Sequence, residues 1–163
     1  MVLVLMGPMG CGKTTIGKML AERLGWPFYD ADDFHPGKNV EKMRAGIALT
    51  DEDRKLWLET LRDNIRRWVN DEQNTILACS ALKQAYRDVL GVDQNRVRTV
   101  YLKGSYRLLR RRIEERQHPY MDKNLLRSQL DALEEPKEGF CVDISATPEA
   151  IVDTIIKSLK VNQ

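Results

Sequence analysis

Short apolar runs alternate along the chain with stretches in which apolar residues recur every three or four positions. Val2–Met6 is a continuous apolar run, which is typical of a strand buried on both faces. Ile16, Leu20 and Leu24 then recur at helical spacing, and Gly25 predicts the end of that helix. The same alternation continues along the rest of the chain, so most predicted strands lead into a predicted helix.

The remaining elements are predicted by the same rules. Thr50 and Asp53 have the spacing of a capping box and predict the start of a long helix. The predicted strands are Val2–Met6, Phe28–Tyr29, Thr75–Cys79, Val97–Leu102 and Phe140–Ile144, and the later helical segments are marked by Trp57-Leu61-Ile65-Trp68, Ser105–Arg116, Leu125-Gln129-Leu133 and, after the cap Thr147-Pro148, Ile151-Ile155-Leu159. Strands that alternate with helices predict an α/β fold, in which a five-stranded parallel sheet is flanked by helices.

Length and charge limit the classes of protein that this chain can form. With 163 residues we expect a single domain over residues 1–163. The 26 basic and 24 acidic side chains nearly balance, which argues against general nucleic-acid binding. No apolar run approaches the roughly 18–20 residues that span a bilayer, so we expect no membrane association.

The cysteines indicate the redox compartment. Cys11, Cys79 and Cys141 lie far apart, their number is odd, and no C-x-x-C pair occurs. This pattern is typical of a reducing compartment and is unlike a disulfide framework or a zinc site. We therefore expect a soluble cytoplasmic protein.

The most specific motif lies between the first strand and the first helix. Residues 7–14 match G-x-x-x-x-G-K-S/T in full. Such a loop points backbone N–H groups at phosphate oxygens, at the positive end of the helix dipole. Lys13 can then reach the β- and γ-phosphates, and the Thr14 hydroxyl can bind Mg²⁺. We predict an ATP site formed by Gly7, Pro8, Met9, Gly10, Cys11, Gly12, Lys13, Thr14 and Thr15.

Two motifs that mark other classes of P-loop protein are missing from the sequence. A GTPase should carry an N-K-x-D motif that binds the base, and the sequence has none. A large ATPase should have a long apolar strand that ends in Asp, whereas the third predicted strand is followed by Ser80. The sequence therefore argues against both of these classes.

Two carboxylates follow the second predicted strand. Ligands of open α/β sheets bind outside the carboxyl ends of the strands, so Asp30 and Asp32 should face the nucleotide. Alternate residues of an extended segment share a face, which places the two carboxylates together. We predict that Asp30 and Thr14 hold Mg²⁺ and that Asp32 accepts the proton of an attacking hydroxyl.

Several segments, in chain order, resemble a known family. They are Asp30-Ala31-Asp32-Asp33-Phe34-His35-Pro36, Asn39, Lys42-Met43 with Gly46, Leu49, Asp51, Asp53-Arg54, Trp57-Leu58, Cys79-Ser80-Ala81-Leu82-Lys83, Tyr86-Arg87-Asp88, Leu102-Lys103-Gly104, Arg112 with Arg116, and Ser128-Gln129 with Leu133-Glu134. The chain resembles the gluconokinases, small P-loop kinases of the shikimate-kinase and nucleoside-monophosphate-kinase type. The resemblance covers nearly the whole chain and implies a P-loop three-layer sandwich that phosphorylates D-gluconate at its 6-hydroxyl with ATP and Mg²⁺.

Gluconate is a polyol that ends in a carboxylate, so a selective site needs at least one fixed cation. Five residues in the segments after the second and third strands are predicted substrate contacts together with Asp32: His35, Lys42, Arg54, Lys83 and Arg87. His35, Arg87, Lys42 and Arg54 take this role from the resemblance. Similar kinases are often dimers, so the resemblance also implies a homodimer.

A mobile lid is predicted over residues 117–124, which form a short polar segment. Arg112 and Arg116 lie four positions apart on the preceding helix and therefore project from one face. We predict that both arginines act with Lys13 as catalytic residues, by offsetting charge on the transferred phosphoryl group.

Two alternatives remain open from the sequence. The chain could be a kinase of another small polyol acid such as shikimate, or a nucleotide-binding module without catalysis. Asp32 distinguishes the second alternative, because a module that only binds nucleotide has no use for a second carboxylate at the position of the hydroxyl.

Overall fold

A computed structural model describes residues 1–116 and 123–161. Its single sheet consists of β1 (Val2–Met6), β2 (Phe28–Asp30), β3 (Thr75–Ala78), β4 (Val97–Lys103) and β5 (Phe140–Asp143). All pairings are parallel, and the strands lie in the order β2, β3, β1, β4, β5. The carboxyl ends of all five strands therefore lie at the same edge of the sheet. The predicted site residues come directly after these carboxyl ends, so they are located at that edge.

Helices cover both faces of the sheet. They are α1 (Lys13–Leu24), α2 (Gly37–Arg44), α3 (Asp51–Asn70), α4 (Gln84–Leu90), α5 (Tyr106–Arg116), α6 (Lys123–Ala132) and α7 (Pro148–Val161), with a 3-10 helix at Ala31–Phe34. Within the described ranges, no helix combines the length and the hydropathy needed to cross a membrane.

The residues of β1 divide the core in two. Leu3 and Leu5 pack into a cluster with apolar residues of α1, α5 and α7, whereas Val2, Val4 and Met6 pack into a second cluster with α3. Successive side chains of a strand point to opposite faces, so one short apolar run supplies both clusters. The predicted α/β sandwich with a five-stranded parallel sheet is confirmed.

The predicted caps are also confirmed. Thr50 Oγ1 accepts from the Asp53 N–H at 3.1 Å, and Asp53 Oδ2 accepts from the Thr50 N–H at 3.0 Å, which forms a complete capping box. Thr147 Oγ1 accepts from the Ala150 N–H at 3.2 Å at the start of α7. These short-range bonds fix where two of the long helices begin.

Three helical features differ from the sequence prediction. Neither α2 nor α4 is predicted, because both are short and polar and show no extended apolar stripe. The stripe assigned to Leu125 in α6 is wrong: Leu125 is 40% exposed, and the neighbouring Leu126 is fully buried. The helix is therefore rotated by about one residue relative to the predicted stripe.

Candidate active site

The loop between β1 and α1 has a backbone that only glycine adopts easily. Gly7, Gly10 and Gly12 have φ angles of 147°, 80° and 96°. A Cβ atom on Gly7 would lie 2.8 Å from Cys11 Sγ and 3.0 Å from the Leu102 carbonyl oxygen, so the loop closes tightly on itself. Gly12 is the N-cap of α1 and makes no side-chain cap, which leaves the positive end of the helix to a phosphate ligand.

Lys13 lies across the mouth of this loop. Its Nζ donates to the carbonyl oxygens of Gly7 at 2.8 Å and Pro8 at 3.2 Å. The third donor of the ammonium group lies 3.7 Å from Cys11 Sγ, a weak acceptor, and a phosphate oxygen would form a stronger, charge-assisted hydrogen bond there. Thr14 and Thr15 are exposed in the first turn of α1, where the sequence places them beside the phosphates.

A cavity of about 270 Å³ adjoins the phosphate loop. Its lining residues are Gly12, Thr15, Ile16, Arg112, Glu115, Arg116, Pro148 and Ile151. Arg112 Nη2 donates to the Ile144 carbonyl oxygen at 2.7 Å, which anchors the guanidinium between α5 and the segment after β5. The structure thus brings both predicted lid arginines to the phosphate loop. Of the predicted lid, residues 117–122 lie outside the described residues.

The carboxylates of Asp30 and Asp32, which follow β2, differ in their contacts. Asp30 Oδ1 accepts from the Asp32 N–H at 2.9 Å and caps the 3-10 helix that follows β2. Reduced hydration raises the pKa of Asp32, and repulsion from the Asp30 carboxylate raises it further, whereas Lys13 lowers it. Because 77% of the Asp32 side chain is exposed to water, repulsion from Asp30 is the main cause of the raised pKa. An exposed carboxylate with a raised pKa near Lys13 fits a proton acceptor.

His35 is covered and does not line an open surface. Only 4% of its side chain is exposed, and Nε2 lies 3.8 Å from Asp32 Oδ1. Burial and the nearby charge of Arg54 lower the pKa of His35 to about 4, so the ring is neutral near neutral pH. His35 thus lies behind Asp32 and is almost entirely enclosed, and its contact with substrate stays a prediction.

Two cations converge on one carboxylate at the other end of the site. Lys83 Nζ and Arg54 Nη1 each lie 3.7 Å from Asp51 Oδ1, and the Tyr86 hydroxyl donates to the same oxygen at 2.7 Å. This hydrogen bond and the two positive charges lower the pKa of Asp51. Arg54 and Lys83 come from α3 and from the segment after β3, and the fold places them around a single anion.

Lys42 forms an ion pair with Asp53. Its Nζ donates to Asp53 Oδ2 at 2.8 Å, and this contact joins α2 to the capping box at the start of α3. The hydrogen bond from Lys42, with those from Thr50, lowers the pKa of Asp53 to about 2. The charge of Lys42 is matched by a carboxylate within the fold, and its contact with substrate stays a prediction.

Arg87 is a structural residue. Only 2% of it is exposed, and its guanidinium donates to the carbonyl oxygens of Ala81 at 2.8 Å, Leu82 at 3.2 Å and Glu134 at 2.8 Å, and to Gln84 Oε1 at 3.0 Å. Arg87 holds the segment that carries Lys83, because a guanidinium offers several donors in a fixed plane. Its contact with substrate stays a prediction.

Two residues near the site belong to segments that carry the resemblance but received no role from the sequence. Gln129 Oε1 accepts from the Met9 N–H at 2.7 Å, so α6 contacts the phosphate loop across 120 positions of sequence. Asn39 follows His35 by one helical turn and lies within hydrogen-bond distance of its ring. The spacing could have indicated the Asn39 contact, whereas no local pattern indicates that of Gln129.

A phosphate loop at the edge of a parallel sheet, with carboxylates and cations facing it, defines a small P-loop kinase. A family model described as shikimate kinase matches residues 9–160. A gluconokinase of Arabidopsis thaliana is 40% identical over 171 aligned positions, which cover 96% of this chain and 90% of that protein. The chain belongs to the gluconokinase family.

Solved structures of two kinases superpose over almost the whole chain. An unliganded sugar kinase from Janibacter sp. HTCC2649 has a TM-score of 0.87 and 37% identity, and covers 98% of this chain and 94% of its own. A gluconokinase from Sinorhizobium meliloti 1021 has a TM-score of 0.81 and 32% identity, with coverage of 99% and 97%. Both similarities extend over all the elements that carry the site.

Proposed function

We propose that the protein transfers the γ-phosphoryl group of ATP to the 6-hydroxyl of D-gluconate and releases 6-phospho-D-gluconate. The observation that supports this proposal is an exposed carboxylate, Asp32, whose pKa is influenced by Lys13 of the phosphate loop. A pair of cations, Arg54 and Lys83, converges on Asp51 at the start of α3. A polyol acid presents the complementary groups, a hydroxyl at one end and a carboxylate at the other.

ATP binds with its phosphates along residues 7–15. The glycine conformations and the uncapped start of α1 suit an anion, and Lys13 is within reach of the loop carbonyls that surround it. Arg112 and Arg116 line the cavity that adjoins this loop and add positive charge there. These groups stabilise the charge that spreads over the phosphoryl oxygens during transfer.

Mg²⁺ accompanies the nucleotide, held by the Thr14 hydroxyl and the Asp30 carboxylate. Asp30 uses Oδ1 for the Asp32 N–H, and its second oxygen is available to a metal-bound water or to the ion. The described part of the chain has no group of three or more metal-ligating His, Cys, Asp or Glu side chains, which agrees with an ion that takes most ligands from phosphate and water. When bound, the ion neutralises charge on the β- and γ-phosphates.

Asp32 orients the 6-hydroxyl and accepts its proton as the oxygen attacks the γ-phosphorus. Oxygen–phosphorus bond formation to the sugar accompanies cleavage of the bond to ADP, and the proton passes to the Asp32 carboxylate. Phosphoryl transfer depends mainly on positioning and electrostatics, so no covalent intermediate with the protein is expected.

The substrate carboxylate binds at Arg54 and Lys83. A carboxylate, that of Asp51, already lies against both cations and the Tyr86 hydroxyl, which shows that this arrangement accommodates an anion. Glucose lacks the carboxylate and leaves the cations without a substrate partner, so it should be a poor substrate.

Steady-state kinetics with a panel of acceptors test the proposal. D-Gluconate should give a kcat/KM far above those of shikimate, glucose and a nucleoside monophosphate. Shikimate as the preferred acceptor would support the alternative that the family model's description suggests. ATP binding without turnover of any acceptor would favour a nucleotide-binding module instead.

Assembly and location are further parts of the proposal. By analogy with similar kinases, we propose that the protein is a cytoplasmic homodimer. We propose that it binds neither nucleic acid nor membrane. Each chain would form one domain over residues 1–163, with a lid near 117–124. The near balance of 26 basic and 24 acidic side chains supports weak nucleic-acid binding. Light scattering coupled to size-exclusion chromatography tests the dimer directly.

A further inference from the structure

A buried amide lies behind the proposed catalytic carboxylate. Asn39 is fully buried in α2, and its Nδ2 lies 2.8 Å from the Asp53 carbonyl oxygen and 3.3 Å from His35 Nδ1. A backbone carbonyl only accepts hydrogen bonds, so the atom that faces it must be the amide nitrogen. The contact with Asp53 therefore fixes the orientation of the Asn39 side chain.

The orientation of this amide determines the tautomer of His35. The second hydrogen of Asn39 Nδ2 points at His35 Nδ1, which must then be the unprotonated nitrogen of the ring. Burial and Arg54 keep the ring neutral, so its single proton lies on Nε2. That nitrogen is the one that faces Asp32 Oδ1, at 3.8 Å.

The imidazole is held rigidly, whereas the carboxylate is not. His35 stacks on Trp57 with ring centroids 4.3 Å apart, and Trp57 Nε1 donates to the Ala31 carbonyl oxygen at 2.7 Å. The exposed Asp32 side chain can rotate toward the ring and shorten the distance to a hydrogen bond. The ring thus provides a fixed donor against which Asp32 can align.

We propose that Asn39 is a positioning residue, which holds His35 as the Nε2–H tautomer so that the neutral imidazole donates to Asp32 Oδ1 and leaves Oδ2 to the substrate hydroxyl. A neutral donor orients the carboxylate without placing a full positive charge against it, and so preserves it as a proton acceptor. This inference rests on the proposed role of Asp32, but the tautomer itself does not depend on the substrate.

The tautomer can be measured directly. The chain has two histidines, His35 and His118, so ¹⁵N-histidine labelling gives two imidazole signals, and a His118→Gln variant assigns them. Long-range ¹H–¹⁵N spectra near neutral pH should show His35 protonated on Nε2 alone. An Nδ1–H tautomer or an imidazolium in the unsubstituted protein would overturn the proposal.

Asn39→Asp replaces the donor with a group that only accepts. Its carboxylate should move a proton onto His35 Nδ1, and kcat should fall about tenfold or more, as expected for losing one hydrogen bond to a charged group, with little change in the KM of the sugar acid. Asn64→Asp is the matched control, because Asn64 Nδ2 also donates to a carbonyl oxygen, that of Thr60 at 2.8 Å, on an outer part of α3. An unchanged tautomer with an unchanged kcat in the Asn39 variant would contradict the proposal.

A second pair of variants separates donation from packing. His35→Gln retains an N–H donor near the position of Nε2, and His35→Phe retains an aromatic ring on Trp57 without the donor. We expect the Gln variant to keep most of the kcat and the Phe variant to lose about tenfold or more. Equal kcat values, or a better Phe variant, would mean that His35 only packs. An Asp32→Asn variant with normal turnover would instead reject the proposed base, while the NMR tautomer would stand.

Discussion

His35 lies flat against Trp57, with ring centroids 4.3 Å apart and an angle of 12° between the ring planes. The stack removes the imidazole from water, and the Arg54 charge adds to the cost of protonating it. Folding therefore selects the neutral form of a side chain that is readily protonated in the unfolded chain. This selection has consequences for stability as well as for the site.

The first prediction concerns pH and stability. The unfolded chain binds a proton at His35 near the ordinary value of 6.5, whereas the folded chain binds it only near pH 4. The unfolded state then holds more protons in this window, so the free energy of unfolding should fall as the pH decreases from about 6.5 to 4, by the order of 1–3 kcal/mol. Urea unfolding of the unsubstituted protein and of His35→Phe at several pH values measures how the free energy of unfolding of each depends on pH. Parallel pH dependences of the two proteins would contradict the prediction.

A second prediction concerns Lys13. Lys13→Ala removes the ammonium group that bridges the loop and should reach the phosphates, so kcat should fall by about 10²–10³ or more, the usual effect of losing one preorganised electrostatic group. Thermal unfolding should change little, because Lys13 is only partly buried. Lys18→Ala on the exposed face of α1 is the control. Near-normal turnover of the Lys13 variant would reject phosphate binding by this side chain.

The third prediction assigns the two carboxylates. Asp32→Asn should lower kcat by about 10²–10⁴, the usual contribution of general acid–base catalysis, with little change in ATP affinity. Asp30→Asn should mainly weaken the binding of ATP in the presence of Mg²⁺. Steady-state kinetics and calorimetry with ATP distinguish the two effects, and the opposite pattern would exchange the two roles.

The fourth prediction concerns the substrate carboxylate. Arg54→Met and Lys83→Met should each raise the KM of gluconate about tenfold or more, because each removes a charged partner. Asp51→Asn should lower that KM, since it removes the internal carboxylate that lies against both cations. Lys55→Met, on the exposed face of α3, should leave the KM unchanged. If all four variants had the same KM, the carboxylate would bind elsewhere.

The fifth prediction concerns the arginines of α5. Arg116→Ala should reduce kcat strongly, with a ceiling of about 10³–10⁵ known from arginine fingers, while calorimetry should show gluconate binding to the free protein unchanged. Arg107→Ala, near the start of the same helix and away from the cavity, should have little effect. Equally small effects at both positions would place Arg116 among the ordinary surface charges.

Local patterns were sufficient for most of the fold. The phosphate loop, the capping box of Thr50 and Asp53, and the cap at Thr147 each depend on residues within a few positions of one another. The five strands were predicted from short segments rich in apolar residues, which range from the two residues Phe28-Tyr29 to the five of Val2–Met6. By contrast, α2 and α4 were not predicted, because the formation of these short helices depends on packing against the rest of the fold.

The candidate site, like the fold, could be predicted only in part. The sequence determined which residue types follow the strands at the carboxyl edge, and hence that a phosphate site, a carboxylate pair and several cations should meet there. It did not determine the partner of each cation. Lys42 is paired with Asp53 over 11 positions, and Arg87 is bound to the Glu134 carbonyl over 47. The acceptors of these charges come from segments that only the parallel crossovers bring together, so tertiary structure alone decided which acceptor each cation meets within the fold.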